Sequence, residues 1–323
     1  MCTAITYKTK DTYFGRTLDI ECSYGEEVIV TPRNFVLNFR HTGAQKSHYA
    51  IIGMGIVREE YPLYYEAANE CGLGMAGLNF PTNAHYFPVA EGKENVTPFE
   101  LIPHLLGRCK NAREARDCLL RLNLCNTPFG KDLPLSPLHW MIADREACIV
   151  VESVADGLKI YDNPVGVLTN NPPLSYHLLH LCDYMALSKN PPALHLGKDY
   201  LTPYSRGMGA MGLPGDFSSA SRFVRAAFVR ENAVSKTDEM SSISQFFHIL
   251  GSVEQVRGCV LLEDGKHELT AYTSCIDLSR GIYYYTTYDN RSVSAVDLFK
   301  CNLEGGELVR FPLPKEQKIE WQN

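Results

Sequence analysis

Strand signals and helix signals in this chain come in separate runs, and that segregation constrains the fold more than any other feature. Residues 2–7 and 12–18 alternate in character and flank Lys8-Thr9-Lys10-Asp11, which reads as a β-hairpin. Residues 28–30 and 35–39 read as another strand pair, and 149–154 and 158–161 flank the turn dipeptide Asp156-Gly157. Near the C-terminus, 259–262, 269–274 and 282–288 predict a meander, with turns at Glu263-Asp264-Gly265 and Ser279-Arg280-Gly281. Between these lie helix signals. Thr97-Pro98-Phe99-Glu100 is a capping box with proline at the first helical position, predicting a helix to about residue 106. Asn111 caps a second helix with Ala115, Leu119 and Leu122 on one face. Ser218 or Ser219 opens a third through Phe223, Ala227 and Phe228, and 241–250 form a fourth. Antiparallel strand runs with helices in runs of their own predict an α+β fold rather than a doubly wound parallel sheet, and two antiparallel sheets between helix layers fit. The length of 323 residues suits one large domain or two small ones. The stretch 175–215 has little periodicity and much Pro, Gly and Tyr, and reads as an insertion that packs on something.

Composition excludes several classes. With 45% hydrophobic and 21% charged residues the chain can bury a large core, so disorder is excluded. A net charge of −6 and no Lys/Arg-rich run argue against a nucleic-acid partner. The longest apolar run, 49–57, is too short to span a bilayer, and no stable membrane association is expected. The start MCTAITYKTK lacks an apolar signal core, which predicts a cytoplasmic protein. The 11 cysteines are odd in number and irregularly spaced, with no CxxC pair. No disulfide framework, structural zinc site or cofactor is therefore expected, and most of these cysteines read as small buried hydrophobes.

Cys2 differs because of its position. Initiator methionine before a small residue is normally trimmed, which would leave Cys2 with a thiol and a free α-amine. An α-amine titrating near ~7.7–8.0 is a competent general base at neutral pH, so nucleophile and base reside on one residue. If the hairpin turn centres between Thr9 and Lys10, Cys2 faces Thr17; a three-residue loop was expected to place it opposite Arg16. Either register brings the Arg16 guanidinium near the thiol, where it favours thiolate. Asp19 could accept hydrogen bonds from the α-ammonium. The plain alternative is that position 2 is a frayed terminus.

Met1-Cys2-Thr3 followed by Phe14-Gly15-Arg16-Thr17-Leu18-Asp19 resembles the start of the choloylglycine hydrolases, the family of bile salt hydrolases and penicillin V acylases. Further segments agree in order along essentially the whole chain: Gly72 to Phe80, Leu138-His139-Trp140, Gly166 to Pro172, Leu213 to Phe217 with Ser221-Arg222-Phe223, and Gly281 to Tyr285. The resemblance implies one N-terminal-nucleophile hydrolase domain over 1–323, a four-layer αββα sandwich, matured by loss of Met1. It implies Cys2 as nucleophile and its amine as base, with Arg16 and Asp19 beside them. Asn79 and Asn170 match the positions that bind the developing oxyanion, and Arg222 matches a second arginine that orients the cluster. Without the resemblance, Asn170 reads as a turn residue before Asn171-Pro172 and Arg222 as a surface helix residue.

The resemblance implies a conjugated bile salt as small-molecule substrate, with penicillin V acylase or another N-acyl amide hydrolase as the alternative. Bile salt hydrolases typically carry Asn where this chain has Asn79, and penicillin V acylases carry Tyr. Candidate apolar walls for a steroid are Leu18, Tyr24, Phe129, Leu133 and Leu138, each of which could equally be core. The family often forms homotetramers, partly through a segment like 175–215. His139, His177 and His180 leave a Cys–His hydrolase open, and His177 and His180 a metal pair, but no third ligand follows at a recognisable spacing. A binding protein that sequesters bile salts would have no need of Cys2.

Overall fold

The computed structural model describes residues 1–193, 195–197 and 199–323. The first hairpin forms between strands Cys2–Lys8 and Thr12–Ile20. Its loop is residues 9–11, and the register pairs Cys2 with Leu18, Thr3 with Thr17 and Ala4 with Arg16. Both expected registers are thus corrected: with Lys8 opposite Thr12, a three-residue loop places Leu18 across from Cys2. Facing residues share a side of the sheet, so Cys2, Ala4, Arg16 and Leu18 lie on one face, and Thr3, Thr17 and Asp19 on the other.

The hairpin is the middle of a seven-stranded sheet. Strand Val167–Leu168 pairs with Cys2–Lys8, and His267–Asp277, Ile282–Thr287 and Ser294–Asp297 follow beyond Thr12–Ile20. Gly15 lets Thr12–Ile20 and His267–Asp277 approach closely, since a Cβ there would lie 2.1 Å from Ser274 O. The second sheet has eight strands and holds Gly74–Asn79 and Leu138–Ala143 at its centre. The pairings within these two sheets are antiparallel, as the strand runs predict, and a small separate pair, Glu94–Val96 with Leu122–Leu124, is parallel.

Alternation along each strand builds the layers. Val28, Val30, Met141 and Ala76 meet Ala4, Phe14 and Cys275 in the core between the sheets. Their neighbours Ile29, Ile142 and Met75 face the other way, onto Leu101, Leu105, Ala115 and Leu119 of helices Leu101–Leu106 and Ala112–Leu119. Phe223, Ala226, Phe246 and Ile249 of helices Ser219–Asn232 and Glu239–Gly251 cover the first sheet. The order is helix, sheet, sheet, helix. Asn111, Ser218 and Asp238 each cap a helix through their side chains. Strand Glu27–Thr31 does not pair with 35–39; it joins Ile51–Arg58 and Val309–Pro312, and Leu37–Phe39 makes its own small pair with Gly43–Gln45. The stretch 175–215 is not wholly irregular, because helix Leu174–Leu181 runs into it; Leu194 and Lys198 lie outside the described residues.

Candidate active site

The site grows from the two faces of the first hairpin. Arg16 points toward the second sheet and is buried. Its Nη1 donates to Gly77 O at 2.5 Å, its Nε donates to Thr17 O at 3.2 Å, and the Glu66 carboxylate lies 3.8 Å from Nε. Arg16 Nη2 is buried with no hydrogen-bond partner among the described residues. Burial works against its charge, but Cys2, Tyr272, Glu66 and Asp19 outweigh that and hold the guanidinium above its ordinary pKa. Glu66 is pushed up by burial, opposed by Arg16 and by the hydroxyls of Tyr283 and Tyr272, which donate to its carboxylate.

The other face turns toward helix Ser219–Asn232. Asp19 Oδ1 accepts from Thr270 Oγ1 at 2.7 Å, and Oδ2 accepts from Thr17 Oγ1 at 3.3 Å and Gln255 Nε2 at 3.4 Å. The buried Arg222 lies 4.0 Å from Asp19 Oδ2. Its Nη1 donates to Cys2 O and to Thr3 Oγ1, both at 2.6 Å, and its Nη2 to Asn170 Oδ1 at 2.8 Å. Burial lowers its pKa against the pull of Asp19 and Cys2, yet a guanidinium stays charged at neutral pH.

Asn170 joins Cys2 to Asn79. Its Oδ1 accepts from Cys2 N at 2.8 Å and its Nδ2 donates to Asn79 O at 2.7 Å. Two donors on Oδ1 fix the amide's orientation, and the second Nδ2 hydrogen stays available. The Asn170 carbonyl accepts from the ring of His177 at 2.9 Å. That ring is buried and stacked on Phe223 at 4.7 Å, and burial lowers its pKa to about 4, so it is neutral. His177 therefore braces Asn170, while His180 meets Asp183. His139 is likewise structural: it stacks on Phe80, bonds Thr169 O at 2.9 Å and lies 3.3 Å from Glu152.

Met1 is present and continues the strand: its nitrogen donates to Asp19 O at 2.6 Å and pairs with Glu268. Burial depresses this ammonium, with Cys2 and Asp19 opposing and Arg222 and Arg16 adding to the shift. The four groups that act on it are thus the groups around Cys2.

Of the residues expected from sequence, Cys2, Arg16, Asp19, Asn170 and Arg222 form one cluster. Asn79 joins through its carbonyl, and its exposed side chain makes no hydrogen bond among the described residues. Leu18 is the cross-strand partner of Cys2, and Leu138 that of Asn79, so both border the cluster. Phe129 packs instead with Tyr61 and Phe99 under the Arg40 guanidinium. Tyr24 is half exposed in the loop after the hairpin, and Leu133 is half-buried in the loop before Leu138–Ala143. Glu66, Thr270, Tyr272 and Tyr283 escaped the sequence reading, and His177 entered it only as a Cys–His or metal candidate. Strand Ile282–Thr287 holds three consecutive tyrosines, all buried, so its sequence has no alternation that singles out Tyr283.

A family model described as linear amide C–N hydrolases, choloylglycine hydrolase family, matches residues 2–311. A bile salt hydrolase/transferase of Lactiplantibacillus plantarum is 53% identical over 98% of both chains, and one of Clostridium perfringens 39% identical over the whole of both. The crystal structure of a C2A mutant of the Clostridium perfringens conjugated bile acid hydrolase superposes with a TM-score of 0.93 at 38% identity, covering both chains fully. A penicillin V acylase from Agrobacterium tumefaciens shares the fold, with a TM-score of 0.75 at 18% identity over 96% of this chain and 90% of its own.

Proposed function

The chain belongs to the choloylglycine hydrolase family of linear amide C–N hydrolases, and from that membership and the geometry at Cys2 we propose that it hydrolyses glycine- or taurine-conjugated bile salts with processed Cys2 as nucleophile. One observation carries the mechanism: Cys2 N is held at 2.8 Å by a side-chain oxygen, Asn170 Oδ1. When Met1 is removed this nitrogen becomes the α-amine, already oriented, with Cys2 O fixed by Arg222.

The amine takes the proton from Cys2 Sγ, and the buried Arg16 guanidinium favours the thiolate that results. The thiolate attacks the amide carbon. The Asn79 side chain and the second Nδ2 hydrogen of Asn170 donate to the oxyanion, each such donor being worth about 3 kcal/mol of barrier. The intermediate collapses, the C–N bond breaks, and the α-ammonium returns its proton to the departing glycine or taurine nitrogen. A thioester to Cys2 remains. Water, deprotonated by the same amine, attacks it and releases the bile acid. Leu18 and Leu138 form an apolar wall for the steroid. Asn79 favours bile salts over penicillin V, and the relatives' names agree.

We also propose a cytoplasmic homotetramer. Its support is the row of exposed apolar side chains in and beside 175–215, among them Tyr176, Leu179, Met185, Tyr204 and Met211. No helix among the described residues is long and apolar enough to cross a membrane. Analytical ultracentrifugation and cell fractionation check both.

The test of function is amine release from glycocholate, taurocholate and penicillin V in parallel, with Cys2→Ala as control. Release of glycine or taurine that disappears in Cys2→Ala is expected. Turnover of penicillin V alone would move the chain to the acylase reading.

A further inference from the structure

A second polar cluster lies under the helix layer of the eight-stranded sheet, apart from Cys2. Glu94 of strand Glu94–Val96, His104 of helix Leu101–Leu106 and Cys118 of helix Ala112–Leu119 bring one ligand atom each to within 4.8 Å of the others. Cys109, in the turn between the helices, lies within hydrogen-bonding reach of the Cys118 thiol. His104 is fully buried, and Cys118 and Cys109 are buried within an otherwise apolar core. His104 Nε2 is 3.2 Å from Glu94 Oε1, and the ring is also within hydrogen-bonding reach of the Cys118 thiol. A buried imidazole, a carboxylate and two thiols thus converge on one small volume.

We propose that Glu94, His104 and Cys118, with Cys109 as fourth donor, bind a thiophilic divalent cation of the zinc type. Imidazole, thiolate and carboxylate in a four-donor set suit zinc among the divalent metals. Tetrahedral zinc with bonds of about 2.0–2.3 Å spaces its ligands about 3.4–3.8 Å apart, so the cluster needs to contract by about 1 Å, within reach of side-chain rotation. The ion displaces the thiol protons and takes one lone pair of the neutral imidazole. A Glu…His…Cys…Cys spacing across a helical hairpin escapes any search for a CxxC pair.

Arg108 is the competitor. Its Nη1 sits 2.6 Å from Glu94 Oε1 and 3.3 Å from His104 Nε2, supplying positive charge where the ion would go. Arg108 and Glu94 are the partly exposed members of the cluster and so form the path from solvent. The guanidinium has other anchors, Gln45 Oε1 at 2.8 Å and the face of Phe39 at 5.6 Å, which can hold it when it leaves Glu94.

Cobalt(II) serves as probe, titrated into the full-length Cys2→Ala protein so that no N-terminal thiol–amine chelate contributes. One equivalent binding with thiolate-to-cobalt charge-transfer absorption, displaced by zinc, is expected. Cys118→Ser and His104→Gln should each weaken binding at least tenfold, whereas Arg108→Ala should tighten it. Absence of the charge-transfer band, its persistence unchanged in Cys118→Ser, or unchanged binding in Arg108→Ala would each overturn the proposal. Should Cys118→Ser fail to fold, the opposite signs expected of His104→Gln and Arg108→Ala still decide it.

Discussion

His177→Gln separates the two things His177 does. In the folded chain its pKa is lowered to about 4, by burial first and His139 second, against the hydrogen bond to the Asn170 carbonyl. An unfolded histidine titrates near ~6.5. Below that pH the unfolded chain takes up a proton that the folded chain refuses, so this contribution to stability is complete above pH 6.5 and is lost as pH falls toward 4. At about 1.36 kcal/mol per pH unit, the loss between pH 7.5 and pH 5 is about 2 kcal/mol. Glutamine carries its amide nitrogen near the position of Nε2 and can still donate to Asn170 O, but it does not titrate. Urea unfolding at pH 7.5 and pH 5.0 should therefore show the native chain losing about 2 kcal/mol more than His177→Gln over that interval. Groups such as Asp277, pushed up to about 6 by burial, act with opposite sign but are common to both proteins and cancel in the difference. Amide hydrolysis at pH 7.5 should stay within a few-fold of the native rate in His177→Gln. It should fall at least tenfold in His177→Phe, which leaves the Asn170 carbonyl unpaired. Equal pH slopes for the native chain and His177→Gln would refute the assignment of a buried neutral imidazole.

The remaining predictions address the two arginines and the strand contact between them. Arg222→Lys cannot reproduce contacts to Cys2 O, Thr3 Oγ1 and Asn170 Oδ1 from one ammonium; kcat/KM should fall at least about a hundredfold, near 3 kcal/mol, with the circular dichroism spectrum retained. Glu66→Gln leaves Tyr272 and Tyr283 an acceptor but leaves Arg16 without its buried counter-charge, so urea unfolding should report a loss of about 3 kcal/mol or more. Gly15→Ala would set a methyl 2.1 Å from Ser274 O, separating the hairpin from its neighbouring strand; poor soluble yield and loss of hydrolysis are expected, and a normal melting temperature would show that the strands can part there at little cost.

How much of the site was legible follows from chain distance. Cys2, Arg16 and Asp19 lie on one hairpin, so strand spacing alone grouped them, even with the register wrong. The corrected register matters because a one-residue slip exchanges the faces of a strand. With Ala4 opposite Arg16, the arginine shares the face of Cys2 and reaches Glu66 and Gly77 in the second sheet, while Asp19 takes the other face and meets Arg222 and Thr270. Spacing could not reach Asn170 or Arg222, which bond Cys2 across 168 and 220 residues; they came from the resemblance. Even there the expected role of Asn170 was incomplete, since its oxygen serves the nitrogen of Cys2 and leaves one amide hydrogen for an oxyanion. The ladder explains why. Strand Val167–Leu168 pairs Leu168 with Ala4 and Val167 with Ile5, and continuing that register by two residues brings Asn170 opposite Cys2. The chain leaves the sheet just there, and the Asn170 side chain takes the place of the carbonyl that a longer strand would have offered. An oxygen acceptor takes a hydrogen bond from an amide, an amine or an ammonium alike, so Asn170 Oδ1 can hold Cys2 N both before and after Met1 is removed.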